Sequence, residues 1–242
     1  MTDERKPGKL YVVATPIGNL GDFSPRAVET LEAVDFIAAE DTRVGAKLLN
    51  KFEIKKPQIS YFEHNRHTKG EYIVERILGG ESCAIITDAG TPAISDPGTD
   101  LVDLCARNGI EVTAVPGCSA VVAALSISGM ACGRFTFEGF LSPKKGRRTK
   151  RLSELISRGE TFVFYESPYR IVKTLKEIGE IAPSCRIAMG RELTKAFEEI
   201  LVAPVSEVIA SLESRDAVKG EFAVAVCPKA EADDNAEEDI ES

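Results

Sequence analysis

Long apolar segments are absent from this sequence of 242 residues. No run of hydrophobic residues approaches the ~18 that a membrane-spanning helix requires. The first residues, MTDERKPGK, are charged, and no apolar stretch of the kind found in a secretory signal follows them. We therefore expect a protein that has no membrane contact and works in the cytoplasm.

Residues that commonly bind metals are also scarce. The six cysteines include no CxxC pair, and several of them lie in apolar runs, which predicts buried, reduced thiols. His64 and His67 are the only histidines, and without a cysteine partner they make a weak metal site. The sequence gives no reason to expect a bound metal.

Charge is unevenly distributed along the chain. The net charge of −8 would be unusual for a protein that binds RNA. Residues 231–242, however, carry seven acidic residues and no basic one, so the rest of the chain is close to neutral. Within that rest, the segment KKGRRTKR at 144–151 holds six basic residues. We expect a basic patch on the folded body and a disordered acidic tail over 229–242.

Short β-branched segments alternate with helical patterns, which is typical of α/β layers. Strands are predicted at 10–15, 36–40, 58–62, 83–87, 110–115, 134–140, 161–166, 185–192, 198–203 and 221–227. Ser24 followed by Pro25 predicts the start of a helix. Further helices are expected near 42–51, 70–78, 119–128, 168–181 and 205–213.

A break in this pattern predicts two domains. Gly129 and Gly133 interrupt the sequence just before the strand at 134–140. We place the boundary near residue 131, which gives an N-terminal α/β domain at 1–130 and a C-terminal α/β domain at 131–228.

Three predicted strand ends are followed by loops of small residues, proline and glycine. They are ATPIGNLGD (14–22), DAGTPAISDPG (88–98) and VPGCSA (115–120). Ligands of open α/β sheets bind outside the carboxyl ends of the strands, where glycine lets the backbone come close to them. The loops match neither the dinucleotide fingerprint nor the phosphate-binding P-loop. They predict a small-molecule site of open ligand class, the alternative being simple turns.

A set of longer motifs narrows these possibilities. The strings LYVVATPIGNLGD, AAEDTR, YFEHN, DAGTPAISDPG, VPGCSA, FEGFL, ESPYR and RELTKAFEE occur in this order. Together they resemble the small-subunit ribosomal RNA 2′-O-methyltransferases that act on a cytidine ribose, a family of the tetrapyrrole methylase superfamily. The resemblance covers residues 9–228.

The resemblance implies an α/β fold with two α/β domains of the tetrapyrrole methylase type and the ligand cleft between them. It implies S-adenosylmethionine as the cofactor, small-subunit ribosomal RNA or the 30S particle as the partner, and a homodimer. The residues it assigns to the cofactor are Pro16, Gly90, Thr91, Pro92, Ile94, Ser119, Ala120, Tyr165, Phe222 and Ala223. Tetrapyrrole-modifying members usually begin with a G-x-G-P-G loop, and TPIGN in its place favours an RNA substrate.

The chemistry that the resemblance implies needs a proton acceptor for a weakly acidic hydroxyl and a cation near the ribose. Polar motifs at strand ends supply the candidates, which are Asp41, Arg43, His64, Asn65, Glu166, Arg191, Lys195 and Glu198. Asp41 is also a candidate helix cap, and Glu166 and Arg170 a candidate ion pair. A surface loop at His64 and Asn65 and a solvated charged face at 191–199 are the structural alternatives.

The basic segment predicts contacts with RNA phosphates. Its proposed RNA-binding residues are Lys144, Lys145, Arg147, Arg148, Lys150 and Arg151. Because FLSPKKG leads into it from the domain boundary, we expect a substrate-facing loop or lid, with a mobile solubilising loop as the alternative. Two other functions stay open, a methylase of a small tetrapyrrole and a non-catalytic RNA-binding module for ribosome assembly.

Overall fold

Residues 7–228 are described by the computed structural model, and their contacts divide the chain between Ser119 and Ala120. The predicted acidic tail at 229–242 lies outside the described residues. None of the helices described in residues 7–228 combines the length and the apolar character that a bilayer crossing demands.

The first unit is built on a parallel sheet of five strands. In chain order the strands are β1 (Lys9–Val13), β2 (Phe36–Ala39), β3 (Gln58–Ser60), β4 (Cys83–Ile86) and β5 (Glu111–Val115). The helices are α1 (Pro25–Ala33), α2 (Thr42–Lys51), α3 (Arg66–Leu78) and α4 (Thr99–Arg107). The order across the sheet is β3-β2-β4-β1-β5, so the three small-residue loops follow three neighbouring strands, β4, β1 and β5.

Both faces of this sheet are buried, as expected for parallel strands that are almost continuously apolar. Successive residues of β2 alternate between two hydrophobic clusters. Phe36 and Ala38 pack into one, and Ile37 and Ala39 pack into the other. Polar and small residues therefore lie at the carboxyl edge of the sheet, where the strands end.

The second unit contains a mixed sheet of five strands in the order β6-β7-β10-β8-β9. The strands are β6 (Phe135–Phe140), β7 (Thr161–Glu166), β8 (Arg186–Arg191), β9 (Glu199–Pro204) and β10 (Phe222–Cys227). The helices are α5 (Ala120–Ser126), α6 (Lys145–Ser157), α7 (Ile171–Ile181) and α8 (Val205–Glu213). Only β6 and β7 run parallel among these neighbouring pairs.

Helix α5 packs within the second unit, whereas the boundary predicted near 131 assigned it to the first domain. Val121 and Leu125 on this helix form one buried cluster with Val163 of β7 and Ala225 of β10. The two glycines that suggested the boundary stand in the connection between α5 and β6. The packing of an apolar helix face, which no local signal reveals, accounts for the difference.

The basic segment is helical, so the prediction of a loop at 144–151 is wrong. Helix α6 begins at Lys145 and runs through the whole segment. Its buried face is formed by Arg148, Leu152 and Leu155, which recur at helical spacing. The sequence interpretation missed this stripe because its first member is a charged residue.

Arg148 is a second correction, because its guanidinium is not available to RNA. Its side chain is 2% exposed and that of Glu177, on α7, is 6% exposed. Nε and Nη2 donate to the two Glu177 carboxylate oxygens at 2.9 and 2.5 Å, and Nη1 donates to the Ser142 carbonyl oxygen at 3.1 Å. This pair joins α6 to α7 in the core of the second unit.

The Arg148→Met variant should lose about 3–5 kcal/mol of unfolding free energy, because it leaves the Glu177 carboxylate buried without a partner. Because hydrogen bonds from Arg148 lower the pKa of Glu177, the loss should shrink as the pH falls below the ordinary range of a carboxyl group. Urea denaturation measures both effects. Arg147→Met, at an exposed neighbouring position, is the control. An equal loss of stability in both variants would contradict the conclusion that Arg148 forms a buried ion pair.

Candidate active site

The three small-residue loops are joined to one another at the carboxyl edge of the first sheet. Thr15 and Gly90 form a two-way backbone bridge, in which each N–H donates to the other's carbonyl oxygen at 2.9 and 3.1 Å. The Thr91 hydroxyl donates to the Cys118 carbonyl oxygen at 3.0 Å. The loops after β1, β4 and β5 therefore form one continuous surface within the first unit.

Two glycines make this close approach possible. Gly90 has a φ of +87°, and a Cβ there would lie 3.4 Å from Ile17 Cγ2. At Gly117 a Cβ would lie 2.9 Å from the Cβ of Ala14, closer than real Cβ atoms come. A side chain at either position would therefore strain the contact between the loops.

The residues predicted to hold the cofactor differ in exposure. Pro16, Gly90 and Pro92 are buried, whereas Ile94 is 64% exposed. Thr91 and Ser119 are half-buried, and Ala120 begins helix α5. The backbone of the loops is thus fixed by internal contacts, and Ile94 presents an apolar side chain beside it.

Three carboxyl groups cluster at these loops. None of them is among the catalytic residues predicted from the sequence, although Glu40 belongs to the polar motif that supplied Asp41 and Arg43. Glu40 follows β2, Asp88 follows β4, and Asp96 lies in the loop 88–98. The Thr87 hydroxyl donates to Glu40 Oε2 at 2.5 Å and also lies beside Asp96. The signal that could have found Glu40 and Asp88 is their position after neighbouring parallel strands.

The environment of this cluster raises the pKa of two of its members. Burial raises the pKa of Asp96 to about 6, and the charges of Glu40 and Asp88 add to the effect. Burial, assisted by Glu40, also raises the pKa of Asp88. Within residues 7–228 no group of three or more His, Cys, Asp or Glu side chains has an arrangement that would hold a metal ion.

The pKa of Asp41 is shifted in the opposite direction. It caps helix α2 by accepting a hydrogen bond from the Arg43 amide at 2.8 Å, and it pairs with the Arg43 guanidinium at 2.6 Å. Hydrogen bonds from Arg43 lower the pKa of Asp41 to about 2. Asp41 is therefore a weak proton acceptor that fixes one end of Arg43, whose side chain is 87% exposed.

The YFEHN motif forms a tight turn between β3 and α3. The Asn65 side chain closes it, donating to the Ser60 carbonyl oxygen at 3.0 Å and accepting from the Phe62 amide at 2.9 Å. His64 is exposed and its ring lies edge-on to Phe62, with centroids 6.1 Å apart. The turn presents Glu63 and Arg66 to a cavity beside the loop 88–98.

The second unit holds three of the residues that the resemblance assigns to the cofactor, Tyr165, Phe222 and Ala223. Tyr165 on β7 packs edge-on against Phe137 and Phe140, with ring centroids 5.1 and 5.6 Å away. Phe222 and Ala223 open β10 and are buried, and the side chain of Phe222 belongs to the core of the unit. A cofactor contact at Phe222 would therefore come from its backbone.

Glu166 and Arg170 form the predicted ion pair, at 3.0 Å. Glu166 is 2% exposed and also accepts hydrogen bonds from the Ser167 amide and the Thr174 hydroxyl, both at 2.9 Å. Arg170 donates to the Leu141 carbonyl oxygen at 2.7 Å. These contacts tie the end of β7 to the start of α7.

The charged set around 191–199 is an internal network. Glu199 pairs with both Arg191 and Arg215, and the hydrogen bonds from Arg215 are the main reason that its pKa falls to about 2. Lys195 pairs with Glu192 at 2.9 Å and with Glu221 at 2.8 Å. The Glu198 carboxylate accepts from the Thr194 amide at 2.6 Å. A part in the chemistry for Arg191, Lys195 and Glu198 stays a prediction.

The basic segment retains four exposed cations after folding. Arg151 pairs with Glu138 at 2.7 Å and with Glu154 at 3.2 Å, so its charge is balanced. The exposed cations of the segment that have no ion pair among residues 7–228 are Lys144, Lys145, Arg147 and Lys150. They surround the start of α6, which has no side-chain cap and no acidic residue in its first turn.

Comparison with known proteins places these features in a family. The family model for tetrapyrrole (corrin/porphyrin) methylases matches residues 9–209. The chain is 48% identical over 231 residues to ribosomal RNA small subunit methyltransferase I of Xylella fastidiosa, covering 94% of this chain and 84% of that protein. It is 45% identical over 222 residues to the protein of the same name from Thermotoga maritima, covering 92% and 99%.

Solved structures show the same fold at low sequence identity. A diphthine synthase structure gives a TM-score of 0.71 at 12% identity, covering 90% of this chain and 88% of that one. A cobalt precorrin-4 methyltransferase gives 0.66 at 16% identity, covering 90% and 94%. The chain therefore belongs to the tetrapyrrole methylase family and, within it, to the group of proteins named ribosomal RNA small subunit methyltransferase I.

Proposed function

We propose that this chain is an S-adenosylmethionine-dependent methyltransferase that places a methyl group on the ribose 2′-hydroxyl of a cytidine in small-subunit ribosomal RNA. The observation that carries the proposal is that hydrogen bonds join three small-residue loops beside a carboxyl cluster, at one edge of the first sheet. The relatives named ribosomal RNA small subunit methyltransferase I support the substrate.

The joined loops fit the methyl donor. Gly90 has no side chain at the place where a Cβ would contact Ile17 and the Cys118 carbonyl oxygen, and Ile94 presents an exposed apolar surface. We assign the methionine part of the donor to residues 90–94. When bound, the donor supplies a methyl group that its sulfonium already activates, so the chain needs only to orient the reactants.

Asp96 is the residue that we assign as the proton acceptor for the ribose hydroxyl. A general base works best when its pKa lies near the working pH, and burial raises the pKa of Asp96 to about 6. Asp41, with a pKa of about 2, is a much weaker base, and its contact with Arg43 suits it to positioning that cation. Arg43 would then balance negative charge on the reacting oxygen.

The start of α6 is the proposed contact with the RNA backbone. Basic residues in the first turn oppose the helix dipole, and the uncapped amide groups there attract anions. A phosphate would satisfy both the amides and the exposed cations Lys144, Lys145, Arg147 and Lys150. In the same proposal the enzyme is a cytoplasmic homodimer that acts on the small subunit or its RNA.

The other two functions have less support. The relatives that are 45–48% identical to this chain carry the ribosomal RNA name, which disfavours a tetrapyrrole substrate. A non-catalytic assembly module would not need a carboxyl group with a raised pKa beside glycine-rich loops.

Methylation of small subunits from cells that lack this protein tests the function. Purified enzyme and S-adenosylmethionine should produce one 2′-O-methylcytidine, which mass mapping of nuclease fragments locates. A methylated base, or no product with either subunits or free RNA, would contradict the proposal.

In the same assay, Asp96→Asn should lower the single-turnover rate by roughly 10²–10⁴-fold, because the general base is removed. Donor affinity should not change. The wild-type rate should rise with pH and level off above about 6, since Asp96 accepts a proton only after losing its own. A pH profile that is the same in wild type and Asp96→Asn would refute the assignment.

The Gly90→Val variant should weaken S-adenosylmethionine binding by roughly tenfold or more, since a tenfold change needs only about 1.4 kcal/mol of strain in the joined loops. Isothermal titration calorimetry measures the change in affinity. Gly109→Val is the matched control, because Gly109 shares the left-handed backbone, with a φ of +69°, but no atom lies within 4 Å of its Cβ position. Normal donor binding by Gly90→Val would show that the site lies elsewhere.

The Arg147→Ala, Lys150→Ala double variant should bind RNA more weakly. The slope of log affinity against log salt should fall by roughly one for each phosphate that the variant no longer neutralises. Arg158→Ala, which removes an exposed cation at the other end of α6, should change neither quantity. Filter binding at several salt concentrations measures both. An unchanged slope in the double variant would mean that the RNA path avoids α6.

A further inference from the structure

A cavity of about 250 Å³ lies beside the carboxyl cluster, within the first unit. It is lined by the turn after β3, by the end of the loop 88–98 and by the first residues of α4. Its polar lining includes Tyr61, Glu63, Arg66, Asp96 and Asp100. None of the residues predicted from the sequence to act in catalysis or cofactor binding is part of the lining.

Two charged side chains of opposite sign, Glu63 and Arg66, line the cavity. Arg66 is held by Asp100, with Nη1 and Oδ2 2.9 Å apart, and this contact orients the guanidinium. Glu63 is exposed and has no ion pair among residues 7–228. The cavity thus offers the Arg66 guanidinium, which an ion pair orients, as a donor and the Glu63 carboxylate as an acceptor.

A buried hydroxyl in the lining points to a missing partner. Tyr61 is 1% exposed, and its phenol oxygen lies near the Leu101 amide at the start of α4, while its hydroxyl hydrogen has no acceptor among the described residues. Burial raises its pKa to about 12, so the group keeps its proton and remains a donor. An unpaired buried hydroxyl is costly, and a ligand acceptor in the cavity would remove that cost.

The start of α4 adds a second set of donors at the same place. Gly98 precedes the helix and provides no side-chain cap, and the Thr99 hydroxyl donates away from the helix to the Ala93 carbonyl oxygen at 3.2 Å. The first residues of this nine-residue helix line the cavity, and its N-cap residue supplies no side-chain hydrogen bond to the amide groups there.

We propose that this cavity receives the nucleobase of the target nucleotide, an amino-bearing pyrimidine turned out of the RNA. The inference rests on the proposed function and names the part of the substrate that this chain reads. The Glu63 carboxylate would accept from the exocyclic amino group, and Arg66 and Tyr61 would donate to the ring nitrogen and the carbonyl oxygen.

The same arrangement disfavours uracil. Uracil places a carbonyl oxygen where cytosine has its amino group, so that oxygen would face the Glu63 carboxylate. Its ring N–H would face the Arg66 guanidinium, and a donor would then meet a donor. Each unfavourable pair leaves charged groups without partners, which is the usual origin of base discrimination.

Size and position agree with a single base. The cavity is smaller than the roughly 300–1,000 Å³ of sites for drug-sized ligands, so it has room for one ring system. Asp96 belongs both to the cavity lining and to the carboxyl cluster. A base held in the cavity would therefore bring its ribose to the proposed proton acceptor.

Titration of the isotopically labelled full chain with cytidine 5′-monophosphate and uridine 5′-monophosphate, followed by amide NMR, tests the inference without methyl transfer. The cytidine nucleotide should shift the amides of residues 61–66 and 95–101 and bind roughly tenfold more tightly than the uridine nucleotide. Glu63→Gln should abolish that preference. Glu71→Gln, an exposed change on α3 outside the cavity, should retain it.

Equal shifts by the two nucleotides, or shifts confined to other residues, overturn the inference. Methylation of small subunits by an enzyme with no such preference would leave the proposed function standing and the cavity wrongly assigned. A cytidine preference without methylation of any RNA would support the cavity and contradict the proposed function.

Discussion

The backbone bridge between Thr15 and Gly90 is the interaction on which the candidate site depends. Thr15 is 1% exposed, and its hydroxyl donates to the Thr87 carbonyl oxygen at 3.1 Å, so the bridge is anchored to the end of β4. The left-handed backbone of Gly90 turns the loop 88–98 toward the loop after β1. Because β1 lies between β4 and β5, this one contact lets the third loop join as well. The carboxyl cluster lies at the same edge of the sheet.

In the second unit, internal pairing decides which charges remain available. The ion pairs of Arg148 with Glu177 and of Glu199 with two arginines fix helices and strands to one another. Such pairs keep their partners because separating them would leave a buried or half-buried charge alone. The cations at the start of α6 stay exposed and can therefore meet an anionic partner.

Local patterns predicted most of the secondary structure and the three loops, because β-branched runs, Ser24-Pro25 and glycine-rich strand ends act over a few residues. Local patterns failed where the structure depends on contacts between residues that are distant in the sequence. Arg148 looks like a surface base until Glu177 is placed beside it, and α5 looks like the end of the first half until its apolar face meets β7 and β10. Glu40, Asp88 and Asp96 could be recognised as one cluster only when the sheet order placed β2 beside β4.

Amide hydrogen exchange with and without S-adenosylhomocysteine tests most directly whether the joined loops form the donor site. We predict that, within the first unit, slowed exchange on binding is concentrated at residues 14–18, 88–92 and 116–119, together in one titration. Gly90→Val should remove the effect at all three segments, because it disrupts the contact that joins them. Protection confined to one loop, or placed at the other edge of the sheet, would contradict this prediction.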